Sequence, residues 1–567
     1  MVTTRLDGAL PELPRLADQP PAVYRVRVER WLEEIDQRLI TDGLHVFGAA
    51  PDRQRARTLI EAALDVPRHG AAGFSAACRA LGLGDDELRR LRNALIDRSV
   101  MGREDPARVW SSIAAVAPPA QLADLVTEGR GILAGMGRCG EELDAVVRVL
   151  EGRYIRPAFG ADPIRAGAGA LPSGRNIHGM DPWRLPSETA MERGRRMAEI
   201  LLEKHRADRG DWPRTVGQTL WAMDTIKSEG EGLAAVLALV GAEPERDGQN
   251  KIFRFRLLPL ETLGRPRIDV LLDISSVFRD TFQMSLDLLD DLFRRAAEAD
   301  EPAELNYVRA NTLALRAQGR SHEESTARIF TQARGLYGTG VDELIEEGQW
   351  EQSDELATMY TTRNAHSYGG RRNGAAAPEV LRGMLGTVDH VFQAIDSVEY
   401  GLTDMTHYYG HSGAMQLAAQ KARGQGVSLS YAETFTGEVS VRDSVHLLRV
   451  EARAKILNPK WFESMLAHGH SGAAEIGNRF THLLGWGAIS NMEQWVFDDA
   501  AKTYVFDESV RKRLEAANPE AARNVVSRLM EANGRGLWKA DEATLAKLQG
   551  IYSDIEDRLE GVGTVAA

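Results

Sequence analysis

Apolar residues recur every three or four positions through the first 155 residues of the chain. Segments 23–40 and 85–100 show this spacing among charged side chains, and a period near 3.6 residues is that of an amphipathic helix. The pattern predicts a helical domain over residues 1–155. The stretch from Arg156 to Gly179 is rich in Gly, Pro and Ala, which predicts a domain boundary or a long loop.

Strand patterns alternate with helix patterns between residues 156 and 300. Short apolar runs predict strands at 214–223, 252–259 and 267–275, and the segments around them have helical spacing. This alternation is typical of βαβ units around a partly parallel sheet, in which ligands bind beyond the carboxyl ends of the strands. We therefore expect an α/β domain over 156–300 whose loops line a ligand crevice.

The rest of the chain predicts two further domains. Residues 301–395 have helical spacing, interrupted at 366–379 by a Gly-rich segment that predicts a mobile loop. Residues 396–567 predict a C-terminal α+β domain, with short strands at 397–404 and 444–452 and an amphipathic last helix. The predicted fold class is a mixed α/β multidomain protein with helical domains around a partly parallel sheet.

The charge balance argues against nucleic acid as a partner. The chain carries 69 Lys and Arg against 82 Asp and Glu, a formal net charge of −13, whereas duplex binding rests on clustered basic residues that neutralise phosphates.

Cysteine usage and hydropathy predict a cytoplasmic protein. Cys78 and Cys139 lie far apart in helical surroundings, which favours reduced thiols over a disulfide framework. The first residues lack the apolar core of a secretory signal, and no apolar run is long enough to cross a bilayer. We expect at most peripheral contact with a membrane and no transmembrane segment.

The chain lacks the sequence marks of a nucleotide hydrolase. No Gly-Lys dipeptide occurs, and a phosphate-binding P-loop needs one. A Gly-x-Gly-x-x-Gly run at 135–140 lies among helices without a preceding strand, so a turn between helices explains it better than a dinucleotide site. We do not expect the chain to hydrolyse ATP itself.

Candidate polar chemistry first appears in the irregular loop 171–187. His178 and Asp181 on this Pro- and Gly-rich loop could transfer protons or bind a cation, and Asn176 lies just upstream. The structural alternative is that Asp181 caps the turn before Pro182 while His178 bonds the backbone. The residues alone leave both possibilities open.

A second group lies in a predicted strand-to-helix turn at 223–231. Asp224, Glu229 and Glu231 place carboxylates where a helix dipole favours negative charge. The alternative is a capping box in which Ser228 caps the helix and Glu231 is its third residue. That alternative explains Glu231 better than it explains Asp224.

Further candidates precede or follow predicted helices. Arg279 could clamp an anion, and its neighbour Asp280 is a plausible helix cap. Asp404 and His407, three residues apart and followed by Tyr408, could line a pocket for a flat apolar ligand and exchange protons with it. A half-buried strand end explains the tyrosine equally well.

Several long motifs resemble one known family. In order and spacing, they are similar to the large subunit of magnesium chelatase and to its relative in cobaltochelatase. The motifs that carry this resemblance are segments 171–187, 220–244, 263–280, 299–309, 402–410, 456–476 and 531–538.

The resemblance implies an activity and partners. The family's magnesium branch inserts Mg²⁺ into protoporphyrin IX with ATP, in (bacterio)chlorophyll biosynthesis. Its large subunit binds the porphyrin, and two AAA+ partner subunits, of the I and D type, hydrolyse the ATP. Because family members are longer, with additional N-terminal domains, a separately encoded N-terminal half is a further expected partner.

The chemistry of this task suggests roles for the candidate residues. Mg²⁺ prefers oxygen ligands, two pyrrole N–H protons must leave the porphyrin, and a flat macrocycle favours aromatic walls. We predict Asp404 and His407 as proton acceptors. The other expected roles are transient Mg²⁺ ligation by Glu229 and Asp224, pocket chemistry by His178 and Asp181, a propionate partner in Arg279, and substrate contacts from Tyr408, Trp461 and Asn176.

Two alternative functions remain open from the sequence. Segment 328–350 contains a Tyr-Gly-Thr-Gly run that is similar to the cobalt branch, so the chain could belong to a cobaltochelatase that inserts Co²⁺ into a corrin precursor. The second alternative is a non-catalytic porphyrin carrier or sensor.

Overall fold

The structure is a computed structural model that forms two compact units. It describes residues 20–36, 40, 43–67, 71–177, 180–397, 400–435, 438–490 and 492–562. We call the described residues within 45–397 and 407–443 the sheet unit, and those within 1–44, 398–406 and 444–567 the helical unit.

All strands of the described chain belong to the sheet unit. They are β1 (Ala158–Phe159), β2 (Asn176–Ile177), β3 (Thr215–Leu220), β4 (Ala242–Arg246), β5 (Ile252–Leu257), β6 (Asp269–Ile274), β7 (Ile329–Thr331), β8 (His366–Gly369), β9 (Arg372–Ala376), β10 (Val388–Ile395), β11 (Ser428–Glu433) and β12 (Ser440–Asp443).

The helices of the first 300 residues are mostly short. They are α1 (Pro21–Asp36), α2 (Arg53–Asp65), α3 (Phe74–Ala80), α4 (Asp85–Ala94), α5 (Pro106–Ser111), α6 (Leu122–Met136), α7 (Glu141–Leu150), α8 (Pro163–Ala166), α9 (Glu188–Arg209), α10 (Ala222–Lys227), α11 (Glu231–Val240), α12 (Leu260–Leu263), α13 (Ser276–Thr281) and α14 (Gln283–Glu298).

The remaining helices complete both units. They are α15 (Tyr307–Ala317), α16 (His322–Ser325), α17 (Val341–Glu347), α18 (Ser353–Arg363), α19 (Pro378–Leu385), α20 (Thr406–Tyr408), α21 (Ala414–Arg423), α22 (Ser444–Glu451), α23 (Pro459–Ala467), α24 (His470–Ser490), α25 (Gln494–Ala501), α26 (Glu508–Ala517), α27 (Pro519–Gly534) and α28 (Glu542–Leu559). A π-helical turn, Tyr409–Gly413, joins α20 to α21.

An eight-stranded sheet, ordered β12-β11-β10-β3-β6-β7-β8-β9, organises the sheet unit. The five neighbouring strands from β11 to β7 are parallel, while β12, β8 and β9 pair antiparallel. Every residue of β3 and β6 is buried, as expected for parallel strands covered on both faces. The predicted fold class, a mixed α/β protein with a partly parallel sheet, is confirmed.

Two buried polar side chains of these strands, Gln218 and Asp269, have clear hydrogen-bond partners. Gln218 of β3 donates its amide to the carbonyl of Gly232, 2.7 Å away. Asp269 of β6 accepts from Nε of Arg328 at 2.8 Å and from Asn311 at 2.8 Å. These bonds offset the desolvation of polar groups in the sheet.

The predicted strand assignments of the later segments need correction. Residues 366–379 are not a loop, because β8 and β9 form a hairpin there at the edge of the sheet. Residues 444–452 begin helix α22 instead of a strand, and the described part of 397–404 contains turns without a strand. The sequence periods in these short segments fit helix and strand equally, and long-range pairing decides between them.

The predicted domain limits differ from the two compact units. Strands β7 to β10 come from the segment predicted as a helical domain, residues 301–395, yet they pair with β6 and β3 in one sheet. A boundary at residue 300 would therefore divide the hydrogen bonds of that sheet.

The first part of the sheet unit has a separate helical core. It contains Trp110, Ile132 and Cys78, all fully buried. Cys78 and Cys139 are unpaired, buried thiols, and burial, with a smaller contribution from Asp65, raises the pKa of Cys78 to about 11. No helix within the described residues combines the length and the apolarity needed to span a bilayer.

Candidate functional site

A polar cavity lies at the carboxyl edge of the parallel strands in the sheet unit. The cavity is small, with a volume of about 10 Å³, enough for about one water molecule. Because β3, β10 and β11 are parallel, the residues that follow them meet at this edge. The cavity is lined by Thr219, Leu220, Trp221, Asp224, Thr225, Ser228, Glu231, Gly232, Ala394, Asp396 and Thr434.

Two carboxyl groups face each other in this cavity. Helix α10 starts directly after β3 and carries Asp224, while Asp396 follows the end of β10. Burial raises the pKa of Asp224 well above that of an ordinary aspartate, and the charge of Asp396 and a hydrogen bond with it raise it further. Two carboxyl groups this close cannot both ionise freely, so the pair favours a proton on Asp224.

Two cations compensate the charge of this pair. Nζ of Lys227 lies 3.4 Å from Oδ2 of Asp396, and Nε of Arg165 donates to the backbone carbonyl of Asp396 at 2.7 Å. Both cations partly offset the rise in the pKa of Asp224. Asp396 is buried, and its Oδ2 atom accepts no hydrogen bond from the described residues, which leaves an acceptor position in the cavity wall.

Glu231, in the first turn of α11, binds one of these cations, Arg165, and a further one, Arg193. Its Oε1 atom accepts from Nη1 of Arg165 at 3.1 Å and from Nη1 of Arg193 at 2.8 Å. Its Oε2 atom is buried without a hydrogen bond from the described part of the chain. The Glu231 carboxylate is therefore held by two arginines with one oxygen left to accept.

The predicted capping box at this turn is wrong. Helix α11 begins at Glu231 and its N-cap is Gly230, at φ +91°. Ser228 only accepts a hydrogen bond from the Glu231 amide, at 3.3 Å. A Cβ at Gly230 would approach Pro186 to 3.0 Å, so this left-handed turn fits glycine and directs the Glu231 side chain to the arginines.

An indole and two imidazoles extend the site along the same edge. Trp221, in the cavity wall, stacks on His407 with ring centroids 5.3 Å apart and contacts the edge of His411 at 4.6 Å. Nδ1 of His411 is 2.9 Å from Oδ2 of Asp273, at the end of β6. His407 remains 46% exposed, so this aromatic stack ends at the surface.

His407 also interacts with a carboxylate. Its Nδ1 lies 3.6 Å from Oδ2 of Asp342. Burial raises the pKa of Asp342, but the hydrogen bond from His407 and the charges of His411 and His407 outweigh burial and bring that pKa below its ordinary value. Asp342 therefore stays ionised beside the His407 ring.

The structure brings two of the predicted residues, Asp224 and His407, to this edge, and Trp221 connects them. Glu229 is an exposed residue with φ +54° in the turn between α10 and α11, and it does not line the cavity. Asp181 accepts from the amide of Trp183 at 3.1 Å, which is the capping alternative. Asn176 is exposed in β2, and His178 lies outside the described residues.

Arg279 and Tyr408 mainly contact other residues of the protein. The Arg279 guanidinium binds both oxygens of Asp280 and three backbone carbonyls between 332 and 336, at 2.7 to 3.4 Å. The hydrogen bond with Asp280 raises the pKa of Arg279. Tyr408 is buried, with its ring against the edge of Tyr431.

Asp404 and Trp461 belong to the helical unit, where Trp461 is buried and the side chain of Asp404 is 2% exposed. Burial raises the pKa of Asp404, but Lys455 and Arg479 outweigh burial and lower it, so Asp404 remains a carboxylate. Nη2 of Arg479 lies 2.7 Å from its Oδ1, and the guanidinium also packs on the ring of Trp461 at 5.5 Å.

Arg165 had no clear signal in the sequence, because it comes from the Gly- and Ala-rich boundary segment. Asp396 could have been found, because it directly follows a strand of the parallel sheet. Because the sequence predicts helix for the segment that forms β10, it does not indicate that Asp396 follows a strand.

The arrangement suits proton transfer. A carboxyl pair that holds one proton can both accept and donate at neutral pH, and carboxylate oxygens are ligands that a hard cation accepts. Within the described residues, no three His, Cys, Asp or Glu side chains converge on a point that could hold a metal ion.

Sequence comparison identifies known proteins of similar sequence. The chain matches the family described as CobN/Magnesium Chelatase over residues 3–545. It is 40% identical to the magnesium-chelatase H subunit of Chlorobaculum parvum, over 99% of this chain and 47% of that protein. It is 31% identical to the aerobic cobaltochelatase subunit CobN of Pseudomonas aeruginosa, over 96% of this chain and 47% of that protein.

The fold is also similar to that of a solved structure. The catalytic subunit of cobaltochelatase from Mycobacterium tuberculosis superimposes with a TM-score of 0.89 at 29% identity, over 98% of this chain and 48% of that chain. The chain spans about half the length of the curated relatives it matches.

Proposed function

The chain belongs to the CobN/magnesium chelatase family, and we propose that it is the part of a chelatase large subunit that inserts Mg²⁺ into protoporphyrin IX for (bacterio)chlorophyll synthesis. The observation that carries this proposal is the carboxyl pair of Asp224 and Asp396 in a cavity flanked by cations and by an aromatic stack.

The carboxyl pair suits the chemistry of insertion. Formation of a metalloporphyrin releases two protons from pyrrole nitrogens, so a base must lie near the ring. We assign Asp396 as the first proton acceptor, with Asp224 as its hydrogen-bonded partner. The positive charges of Lys227 and Arg165 partly neutralise the negative charge of this carboxyl pair. General acid–base groups of this kind contribute about 10²–10⁴-fold in rate.

The delivered metal is a substrate that needs oxygen ligands. Mg²⁺ loses its water reluctantly and is bound through one or two carboxylates. We propose Asp396 and Asp224 as the two transient ligands, because Oδ2 of Asp396 is buried without a hydrogen bond from the described residues. We also propose that Glu229, which is exposed in the turn between α10 and α11, binds the incoming Mg²⁺ before it reaches the cavity.

The aromatic stack suits a planar macrocycle. The rings of His407 and Trp221 are nearly parallel, at 17°, and a flat π surface favours stacking. We propose that His407, the exposed member of the stack, meets the porphyrin face or accepts its second proton.

Energy and partners are part of the proposal. The chain has no Gly-Lys dipeptide, which is consistent with ATP hydrolysis by separate AAA+ subunits. Magnesium is the preferred metal because identity to the magnesium-chelatase protein, 40%, exceeds identity to the cobaltochelatase protein, 31%. Cobalt insertion into a corrin precursor is the second candidate, favoured by the fold similarity to the cobaltochelatase structure.

Reconstitution tests both the reaction and the metal. The chain is combined with AAA+ chelatase partners, ATP and protoporphyrin IX, with Mg²⁺ or Co²⁺, and metalloporphyrin is followed by fluorescence and absorbance. A parallel reaction offers a corrin precursor with Co²⁺. We expect Mg-protoporphyrin as the product, with insertion reduced by about 10²-fold or more in Asp396→Asn and unchanged in Asp300→Asn, an exposed carboxylate outside the cavity.

Three other outcomes contradict the proposal in different ways. Co²⁺ insertion into the corrin alone would select the second candidate. Quenching of porphyrin fluorescence without any metalloporphyrin would indicate a carrier or sensor. Full activity of Asp396→Asn would remove the carboxyl pair from the mechanism while leaving the reaction class intact.

A further inference from the structure

Helix α7 in the sheet unit is oriented with its apolar face outward. Leu143, Val146, Val147 and Leu150 are all exposed, Leu150 at 81%. Their spacing of three and four residues places them on one stripe of the helix, which Tyr154, 75% exposed, extends. The opposite face instead buries Glu142, at 2% exposure.

The buried glutamate fixes this orientation. Glu142 accepts from the amide of Gly48 at 2.6 Å, from His45 at 3.1 Å and from the hydroxyl of Ser173. Burial raises the pKa of Glu142, but these hydrogen bonds outweigh burial and lower it. Rotation of α7 to bury its apolar stripe would break all three bonds and expose a carboxylate that the structure holds ionised.

Close packing on the buried side supports the same conclusion. At Gly174, with φ +99°, a Cβ would approach Cα of Glu142 to 2.7 Å. The loop carrying Gly48 lies against the Leu143 side chain, and its preceding residues Val46 and Phe47 are about half exposed. The apolar stripe of α7 and this loop form one outward surface, which we call the α7 patch (Val46, Phe47, Leu143, Val146, Val147, Leu150 and Tyr154).

We infer that the α7 patch is the docking surface for the other half of the family's large subunit, whether that half is joined to this chain or supplied separately. Contiguous exposed apolar stripes mark interaction sites, and interfaces between permanently associated parts are apolar. About half of each curated relative lies outside the region that matches this chain, so a polypeptide of that size requires contact surfaces on this half.

The charges around the patch favour a protein partner over a lipid surface. The first turn of α7 contains Glu141, Glu142 and Asp144, and the helix has one basic residue, Arg148. Membrane-surface helices instead carry Lys and Arg on the polar face. The inference rests on family membership and on the patch, and it does not depend on the chemistry proposed for the cavity.

A binding experiment tests the inference. The probe is the part of the Chlorobaculum parvum magnesium-chelatase protein that lies outside its match to this chain, produced as a separate polypeptide. Sedimentation velocity measures its complex with the full chain, and hydrogen exchange follows residues 143–154. We expect a 1:1 complex, slower exchange in that segment, and at least tenfold weaker binding by the double variant Val147→Glu, Leu150→Glu.

The control is Leu313→Glu, which also places a charge at an exposed apolar residue, on α15. It should bind like the unmodified chain, and all variants should keep their thermal unfolding midpoint because the altered side chains are exposed. Absence of a complex, equal binding by the double variant, or a self-associated chain that the double variant converts to monomer would each overturn the inference. None of these measurements uses metal insertion, so they are independent of the proposed activity.

Discussion

Asp224 and Asp396 share a hydrogen bond across one cavity, although one follows β3 and the other follows β10. The strands are neighbours in the parallel sheet, so the two carboxyl groups meet because two strand ends meet. Because each negative charge opposes the other, the pair favours a protonated Asp224. The site therefore combines a proton acceptor and a proton donor within one hydrogen bond.

Replacing Asp224 by Asn should separate binding from chemistry. The amide can still donate a hydrogen bond to Asp396 but cannot transfer a proton. We expect porphyrin affinity, measured by fluorescence quenching, to change by less than about threefold, and metal insertion to fall by about 10²-fold. Asp224→Ala is the companion variant and should also weaken binding. Equal insertion by Asp224→Asn and the unmodified chain would contradict the proton-sharing role.

The raised pKa of Asp224 also predicts a pH dependence of stability. A carboxyl with a higher pKa in the folded state stabilises the fold fully below its unfolded pKa, near 4, and loses that contribution as the pH rises through the folded pKa. Asp224→Asn removes this titration. The unfolding midpoint of the variant, relative to that of the unmodified chain, should therefore rise as the pH is increased above about 4.

This comparison has its own control. Asp300→Asn removes an exposed carboxylate and should give the same pH dependence as the unmodified chain. A constant difference between Asp224→Asn and the unmodified chain at every pH would show that Asp224 ionises normally.

Glu231 and Glu229 offer a matched pair of substitutions. Glu231 is buried between Arg165 and Arg193, whereas Glu229 is exposed. Glu231→Gln removes the negative charge that two largely buried arginines share. We therefore expect the free energy of unfolding to fall by about 3 kcal/mol. Glu229→Gln should change the free energy of unfolding by less than about 0.5 kcal/mol. Denaturant unfolding of both variants checks the difference, and similar values would contradict the buried bridge.

The sequence predicted the partly parallel sheet and the cavity at its carboxyl edge better than it predicted which residues line that cavity. The strand pattern of β3 and β6 is strong because both strands are buried on both faces. The expectation of a crevice beyond the carboxyl ends of the strands follows from their parallel arrangement alone. Asp224 and His407 lie at the predicted edge. The fold class followed from the same pattern.

The remaining site residues depend on contacts that periodicity does not encode. Glu231 was assigned to a capping box because Ser-x-x-Glu is a local pattern, but Gly230 takes the cap and frees the carboxylate for Arg165. Asp404 is close to His407 in sequence, yet it pairs with Lys455 and Arg479 in the helical unit. Such pairs join residues distant along the chain, so only the folded structure identifies them.

Two substitutions at His407 distinguish its ring from its basicity. His407→Phe keeps a flat ring on Trp221 but cannot accept a proton, whereas His407→Ala removes both. We expect porphyrin affinity to fall by about tenfold in the Ala variant, equivalent to an aromatic contact of about 1 kcal/mol, and to be retained in the Phe variant. Metal insertion should fall in both. Equal affinity of the Phe and Ala variants would exclude stacking as the role of this residue.

Arg279→Ala tests whether this arginine binds a porphyrin propionate or holds the protein together. Its guanidinium is buried and already binds Asp280 and three backbone carbonyls. Removal leaves these carbonyls without their donor, so we expect a loss of about 2 kcal/mol in unfolding free energy. Porphyrin affinity should then fall only in proportion to the folded fraction. A weakened affinity at unchanged stability would instead assign Arg279 to the propionate, because only a donor that turns outward on binding could produce that combination.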